Sequence, residues 1–306
     1  MPSPHAALHL VAALSDEEAL DEAARRFPGS VPLRIRSGAS PELARIVEAV
    51  GAADGATIVA ALDADVAAEH VASRLERLLD GAAPRLTVLS VLSLGELEAQ
   101  LSGYGSVPSE LVVDRLEAAD IVQLADARDA RPNGRAMAVA RALAPTARFG
   151  DEPLRIAHRG RPAPAWSQLA ASGRGSEWFA TDLRALHLSD PRPFHPERLM
   201  TALTERFVGE HVGRIAAARG VARVATRPGE LVEFSGLGDA LHLGLLRAGE
   251  EAPSGHELVV LGWGLRPAAL EAALLDAVLS PAELLAGPEQ WRSFPDRLPL
   301  TTRSER

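Results

Sequence analysis

The first half of the chain alternates short apolar runs with stretches of helical spacing. Residues 57–62 (TIVAAL) and 86–92 (LTVLSVL) are almost continuously apolar, which is typical of strands buried on both faces of a sheet. This alternation predicts an α/β domain with a mainly parallel sheet and helices on both of its faces. The predicted strands are residues 8–14, 31–35, 57–62, 86–92, 121–124 and 146–149, and the predicted helices are residues 16–26, 41–50, 66–79, 111–118 and 136–143.

The pattern changes beyond residue 150. Residues 150–175 are rich in Pro, Arg, Gly and Ser, as in linkers and surface loops. The strand candidates then come close together, which predicts a smaller α+β domain with a mainly antiparallel sheet. We therefore expect an α/β domain at residues 1–150, linker or surface loops at residues 151–175 and an α+β domain at residues 176–306. The predicted strands of the α+β domain are residues 178–188, 221–226, 231–234, 240–245 and 258–261, and helices are predicted only after His195 and after Pro267. The glycine-rich residues 236–244 are predicted to form a hairpin turn.

Residues 189–203 (SDPRPFHPERLMTAL) give one helix a sharply defined start. Pro196 has the backbone angle that suits the first position of a helix. Leu199, Leu203 and Phe207 then repeat every four residues, which predicts a buried apolar stripe. We expect His195 to cap this helix or to pack beside it, since a single histidine at a helix start is more often structural than a metal ligand.

Composition excludes several classes of chemistry. The 306-residue chain has no cysteine, so it has no disulfide, thiolate zinc site or cysteine nucleophile. All 32 of its positive side chains are arginine, which excludes a Schiff-base lysine and a phosphate-loop lysine. A net charge of −9 argues against a nucleic-acid partner. No membrane span or secretory signal is recognisable, so we expect a cytoplasmic protein. The abundance of Ala, Arg, Gly and Pro is typical of a bacterial genome rich in G and C.

The second half resembles a known family at several ordered positions. The strings ARGVARVATRP (218–228), ELVVLGWGL (257–265) and WRSFPDRLP (291–299) follow RPFHPERL in the order that the CobW C-terminal domain has them. This family comprises GTPases associated with cobalamin synthesis and with the delivery of zinc or other metals. The chain departs from the family pattern at Arg219, where a lysine is usual, and at Arg223, where tryptophan is usual. The family-signature residues, which the resemblance implies to be structural, are Arg192, Pro193, Phe194, His195, Pro196, Glu197, Arg198 and Leu199.

The resemblance implies that the first half is a P-loop GTPase-like domain, but the nucleotide motifs are missing. The first strand passes to its helix through Ser15 without the glycine loop and lysine that wrap phosphates. Three carboxylates, Asp16, Glu17 and Glu18, occupy the helix start, where the helix dipole would otherwise attract an anion. Ala125 and Asp126 stand where the family has the Asn and Lys that read guanine, and the family's C-x-C-C metal motif is absent.

Two other kinds of site remain open from the residues alone. His5, His9, His187, Asp190 and His195 are nitrogen and oxygen ligands of the kind that bind metals, although their spacing matches no established pattern and we favour separate structural roles. Asp63 and Asp65 follow a predicted parallel strand, at the edge where α/β proteins commonly bind ligands. These two residues are pocket candidates, and the alternative interpretation is a helix cap with a companion acid.

We therefore expect a non-catalytic CobW-like protein, or pseudo-GTPase, with a binding or regulatory role in zinc or related metal homeostasis. We expect a protein partner and no cofactor, nucleotide, nucleic acid or membrane. The alternatives are a GTP-binding metal chaperone, in which arginines such as Arg34 or Arg36 have taken over the lost roles, and a small-molecule enzyme that uses the edge near Asp63.

Overall fold

The computed structural model describes residues 7–36, 40–52, 57–79, 85–125, 134–150, 182–207, 209, 211–247 and 253–302. The chain divides into two compact units. The first comprises Met1–Ala99, Gly105–Ala165 and Glu305–Arg306, and the second comprises Gln100–Tyr104 and Trp166–Ser304. Within the described ranges, no helix has both the length and the apolar character needed to cross a membrane.

The first unit is built on a six-stranded sheet in the order β2-β3-β1-β4-β5-β6. Every neighbouring pair is parallel. Because each connection between parallel strands must cross over, helices alternate with the strands along the chain. The strands are β1 (Ala7–Ala12), β2 (Leu33–Ile35), β3 (Thr57–Leu62), β4 (Arg85–Leu92), β5 (Ile121–Leu124) and β6 (Arg148–Phe149). The helices are α1 (Asp16–Arg26), α2 (Ser40–Ala52), α3 (Ala68–Leu78), α4 (Leu94–Leu101), α5 (Ser109–Ala118) and α6 (Gly134–Leu143), and the last two residues of α4 are assigned to the second unit.

Both faces of this sheet are buried, as the apolar strands predicted. On β1, Leu8 and Leu10 lie in a core shared with α2 and α3, whereas Val11 lies in a core shared with α1. Successive side chains of a strand point to opposite faces, so a strand that serves two cores must be apolar at every position. The predicted parallel α/β domain is confirmed.

The second unit contains a six-stranded sheet in the order β12-β10-β9-β8-β11-β7. All pairings are antiparallel except the short parallel pairing of β10 with β12. The strands are β7 (Leu183–Asp190), β8 (Arg214–Ala222), β9 (Glu230–Leu237), β10 (Ala240–Arg247), β11 (His256–Trp263) and β12 (Leu300–Thr302), and the helices are α7 (Pro196–Thr201), α8 (Pro267–Ala277) and α9 (Pro281–Trp291). The predicted α+β domain with a mainly antiparallel sheet is confirmed.

The glycine-rich residues 236–244 form a hairpin, as predicted. Leu237 pairs with Ala240, which leaves Gly238 and Asp239 as a two-residue turn. Gly238 has a φ of +59°, a conformation that a hairpin with glycine at its first turn position requires. This segment is therefore a connection between strands rather than a phosphate-binding loop.

Several elements differ from the predictions. Helices α4 and α9 were not predicted, although Ser280 and Glu283 form a capping box at the start of α9. Strand β8 lies at Arg214–Ala222 instead of residues 221–226, because residues 223–225 leave the strand and pair with the backbone of Phe194. The predicted linker at residues 151–175 lies outside the described residues.

The helix that begins at Pro196 does not continue as a regular α-helix. Residues Ala202–Arg206 form a π-helix, in which the amide of Phe207 donates to the carbonyl of Ala202, five residues earlier, at 2.9 Å. The extra residue in this turn rotates the side chains that follow. Leu199, before this turn, is fully buried, and within the turn Ala202 is fully buried, whereas Leu203 and Phe207 are only half-buried, contrary to the regular stripe predicted from their spacing.

We expect the substitution Leu199→Ala to lower the free energy of unfolding by about 2–5 kcal/mol, because it leaves a cavity among fully buried neighbours. Leu203→Ala should cost clearly less, because Leu203 keeps solvent access. Urea denaturation of both variants tests this order. Equal losses would contradict the π-helical register.

Candidate functional site

The carboxyl ends of three parallel strands lie level with one another. The register pairs Leu62 at the end of β3 with both Ile35 at the end of β2 and Ala12 at the end of β1. Ligands of open α/β sheets bind at this kind of edge, outside the ends of the strands. The residues that follow these three ends therefore form the first candidate site.

A cation held between two carboxylates occupies this edge. Arg34, the middle residue of β2, donates its Nε to Oδ1 of Asp63 at 2.5 Å, and its Nη2 bonds to Oδ2 of Asp16. The hydrogen bond that Arg34 donates to Asp63, and the charges of both acids, raise the pKa of the Arg34 guanidinium above its usual value. We call Asp16, Arg34 and Asp63 the carboxyl-edge cluster. Arg34 is therefore engaged by the chain's own acids.

The chain's own groups form hydrogen bonds at the first turn of α1. The hydroxyl of Ser15 accepts a hydrogen bond from the amide of Glu18 at 3.3 Å, which caps the helix. Oδ1 of Asp16 accepts a second from the amide of Ala64 at 2.8 Å, which ties the helix start to the loop after β3. A phosphate at this helix start would have to displace these bonds and meet three carboxylates, since Glu17 is also in the first turn.

Beneath the carboxyl-edge cluster lies a fully buried arginine on α5. Arg115 donates its Nε to the carbonyl of Ala13 at 3.0 Å, its Nη1 to the carbonyl of Val66 at 2.8 Å, and its Nη2 to the carbonyls of Asp63 at 3.2 Å and Ala64 at 3.1 Å. Nη1 also bonds Oδ2 of the neighbouring residue, Asp114, at 3.0 Å. These contacts use the full hydrogen-bonding capacity of a guanidinium, which has five N–H groups.

Burial and charge act on Arg115 in opposite directions. Removal from water lowers the pKa of the guanidinium below its usual value, and the charge and hydrogen bond of Asp114 offset only part of this decrease. Oδ2 of Asp114 in addition accepts the amide of Ala68, the first residue of α3, at 2.8 Å. Arg115 and Asp114 thus join the ends of β1 and β3 to the start of α3.

The two predicted pocket residues have different surroundings. The side chain of Asp63 is 14% exposed and is bound to Arg34, whereas Asp65 is exposed to solvent. Asp63 therefore has a cation partner within the chain, and Asp65 lies at the surface. Asp126 of the guanine-reading segment lies outside the described residues.

The signature segment at residues 192–199 connects several elements of the second unit. Phe194 is fully buried and forms single bridges to Val224 and Val278, and its ring stacks on His256 with 4.4 Å between centroids. The amide of Leu279 donates to the carbonyl of Pro193 at 2.9 Å, so the segment is bonded to the chain just after α8. The segment therefore holds the loop after β8, strand β11 and the end of α8 together.

Two arginine–carboxylate pairs fix the ends of this segment. Arg192 binds both oxygens of Asp190, and this hydrogen bonding holds the pKa of Asp190 below its usual range. Arg198 binds both oxygens of Glu283 at 3.0 and 2.7 Å and lowers the pKa of Glu283 to about 2. Among the other signature residues, Pro196 and Leu199 are buried, and Glu197 is exposed.

In the described part of the chain, the histidines considered as metal ligands each have their own contacts. His9 stacks on Phe27, His187 contacts Glu257 at 2.6 Å, and His195 stacks on Phe294. Asp190 binds Arg192. His5 lies outside the described residues, and within them no group of three or more His, Asp or Glu side chains is arranged to hold a metal. His195 packs beside its helix without a side-chain capping bond.

The two arginines that depart from the family pattern both bond to backbone carbonyls. Arg219 is buried and donates to the carbonyl of Phe234 at 3.1 Å, with Glu233 at 3.5 Å. Arg223 donates to the carbonyls of Pro253 and Pro228, each at 2.7 Å. Each arginine therefore ties its own strand or loop to a neighbouring one.

Sequence reasoning did not single out Arg115. A signal was present, because α5 is apolar at Val112, Val113 and Leu116, and Arg115 follows Val112 by one helical turn on the same face. A charged residue on a buried helical face needs partners, since an unpaired buried charge is costly.

The structure thus defines a protein with a parallel α/β unit and a mainly antiparallel α+β unit. Residues 183–278 match the family model of the cobalamin synthesis protein cobW C-terminal domain. This match confirms the resemblance that the sequence of the second half has to the CobW C-terminal domain.

Two solved structures are similar to the chain as a whole. Zn(II)-bound YjiA GTPase from E. coli has 10% identity and a TM-score of 0.35, with 90% of this chain and 99% of that chain covered. A Zn(II)-bound triple mutant of YjiA GTPase has 9% identity and the same TM-score of 0.35, with 89% and 99% covered. At this TM-score neither likeness bears on the architecture, which rests on the strand order and register above. No curated protein matches the chain.

We expect acid to destabilise the protein through its buried histidines. Burial lowers the pKa of His9 and of His256 to about 4, below the value of about 6.5 in an unfolded chain. Between these values the unfolded state binds the proton first, so stability is lost as the pH falls from about 6.5 to about 4. In the unmodified protein, His256 should account for about 2 kcal/mol of the fall in the free energy of unfolding between about pH 7 and about pH 5. The variant His256→Leu should lack this part of the fall, which urea denaturation at both pH values measures.

The matched control is His211→Gln, because His211 is exposed. It should retain the full pH dependence of the unmodified protein. An unchanged pH dependence in His256→Leu would show that this histidine is not held neutral in the folded state.

Proposed function

We propose that this protein is a pseudo-GTPase of the CobW type, which acts by binding a protein partner in zinc or related metal homeostasis. The observation that carries the proposal is the position of Asp16. Its carboxylate lies at the start of α1 and is bonded to the amide of Ala64 and to Arg34. The helix start where a phosphate would bind therefore holds one of the chain's own anions.

The missing contacts account for the proposed loss of nucleotide binding. The chain has no lysine for the phosphates, and Ser15 leads into the helix without a glycine loop. Each missing charge-assisted contact forfeits roughly 1.5–3 kcal/mol. A micromolar site is worth about 8 kcal/mol, so the loss of several contacts moves it to the millimolar range or beyond. Arg34 does not compensate, because Asp16 and Asp63 already use its guanidinium.

The role in metal homeostasis rests on the CobW C-terminal domain at residues 183–278. The partner-binding role rests on two features. The family-signature residues of that domain serve packing and hydrogen bonding, and side chains of the protein itself bond to one another at the carboxyl ends of β1, β2 and β3. A protein with this arrangement is suited to recognition rather than to turnover.

We expect no saturable heat when the protein is titrated with GTP and Mg²⁺ in a calorimeter, and phosphate release at the rate of buffer alone. A GTPase with an intact P-loop, measured under the same conditions, is the positive control. The variant Asp16→Asn, Glu17→Gln, Glu18→Gln removes the repulsion at the helix start. It should still not bind, because the lysine and the glycine loop remain absent.

Micromolar binding of GTP by the unmodified protein would contradict the proposal and favour a GTP-binding metal chaperone. Binding only by the triple variant would show that the carboxylates alone had suppressed a working site.

The proposed biological role has its own test. Expression in the source organism should rise several-fold when zinc is removed from the medium by a chelator and return when zinc is restored. Transcript levels that do not respond to zinc would remove the support for a role in zinc homeostasis, and would leave the nucleotide result unaffected.

A further inference from the structure

We propose that Arg115 acts as an internal ligand that closes the carboxyl edge of the first sheet. Its guanidinium fills a site lined by backbone carbonyls, and that site is complementary to a guanidinium ion. The proposal concerns the same edge as the proposed function and goes beyond it, because it rests on the hydrogen bonds of Arg115 and not on the loss of nucleotide binding.

The geometry of the acceptors supports this inference. The carbonyls of Ala13, Asp63, Ala64 and Val66 come from the chain after β1 and after β3, and all converge on one side chain at 2.8 to 3.2 Å. Carbonyl groups that point into one space repel each other unless a donor lies between them. The ends of the two strands therefore require a multivalent donor at this point.

The side chain that supplies the donor is held from its other end as well. The carbonyl of Arg115 accepts the hydroxyl of Ser90 on β4 at 2.6 Å, and Oδ2 of Asp114 joins the guanidinium to the amide of Ala68. Arg115 is fully buried. Another cation can therefore bind these carbonyls only if the whole side chain of Arg115 leaves the site.

This arrangement explains how the chain itself holds the shape of the edge. In open α/β proteins, ligands bind in the crevice outside the carboxyl ends of the strands. At this edge the guanidinium of Arg115, on α5, donates to the carbonyls at the strand ends. The carboxyl-edge cluster of Asp16, Arg34 and Asp63 lies over it. Arg115 is thus a positioning residue for the loops after β1 and β3.

The test is chemical rescue of Arg115→Ala by methylguanidinium chloride, followed through the midpoint of thermal unfolding. The variant leaves four carbonyls and Asp114 without their donor, and we expect its midpoint to fall by about 10 °C. Millimolar methylguanidinium should raise the midpoint of this variant saturably by about 5 °C. The same concentration of tetramethylammonium chloride, a cation without N–H donors, should not raise it.

The matched control is Arg206→Ala, because Arg206 forms an ion pair with Asp276 at an exposed position. Neither this variant nor the unmodified protein should be stabilised by methylguanidinium. If Arg115→Ala retains the normal midpoint, or is destabilised but gains no more from methylguanidinium than Arg206→Ala does, the proposal is wrong.

If Arg115→Ala does not fold, Arg115→Lys provides the measurement. Lysine keeps the charge but has only three donors, so some of the carbonyls lose their partner. Amide hydrogen exchange at Val66 and Ala68 should then be at least about tenfold faster than in Arg206→Ala. Exchange at the rate of Arg206→Ala would overturn the proposal.

The outcome is independent of the GTP titration. Nucleotide binding by the unmodified protein together with rescue of Arg115→Ala would refute the proposed function and leave the internal ligand in place. Absence of both nucleotide binding and rescue would refute the internal ligand alone.

Discussion

The first unit depends on the complete hydrogen bonding of one buried guanidinium. A charged group without water is tolerated only when every donor has an acceptor, and Arg115 meets this condition with four backbone carbonyls and Asp114. The carbonyls belong to the ends of β1 and β3 and the loop before α3, so the same bonds fix three segments. The shape of the carboxyl edge follows from this constraint.

The outer layer of that edge, the carboxyl-edge cluster, also pairs an arginine with acceptors from the chain, but its groups are exposed. Arg34 lies between Asp16 and Asp63, and its side chain is 39% exposed, so solvent weakens the ion pairs. Their contribution is mainly one of position, because they place a carboxylate at the start of α1. The edge thus combines a buried bond network that sets its shape with a surface cluster that sets its charge.

The second unit is organised around the segment at residues 192–199. Phe194 fills the centre of the core, and Arg192 and Arg198 bind Asp190 and Glu283 at the two ends. A short segment with a buried aromatic ring and an arginine pair on each side can hold a strand, a loop and two helices in fixed positions. This explains in physical terms why the segment begins its helix so sharply, with Pro196 at the first helical position.

The sequence by itself determined the two folds, because apolar strands that alternate with helical stretches predict a parallel sheet, whereas strand candidates that follow one another closely predict an antiparallel one. It also determined the loss of lysine chemistry and the start of the helix at Pro196. Only the tertiary structure decided that Arg34 meets Asp16 and Asp63, that Arg115 meets carbonyls up to 102 residues away, and that Ala202 replaces Leu203 in the core. Local periodicity reports which face of an element is buried. The partner of a buried charge and the register of a π-helical turn depend on which distant segments pack against the residue. The strand order decides which segments these are.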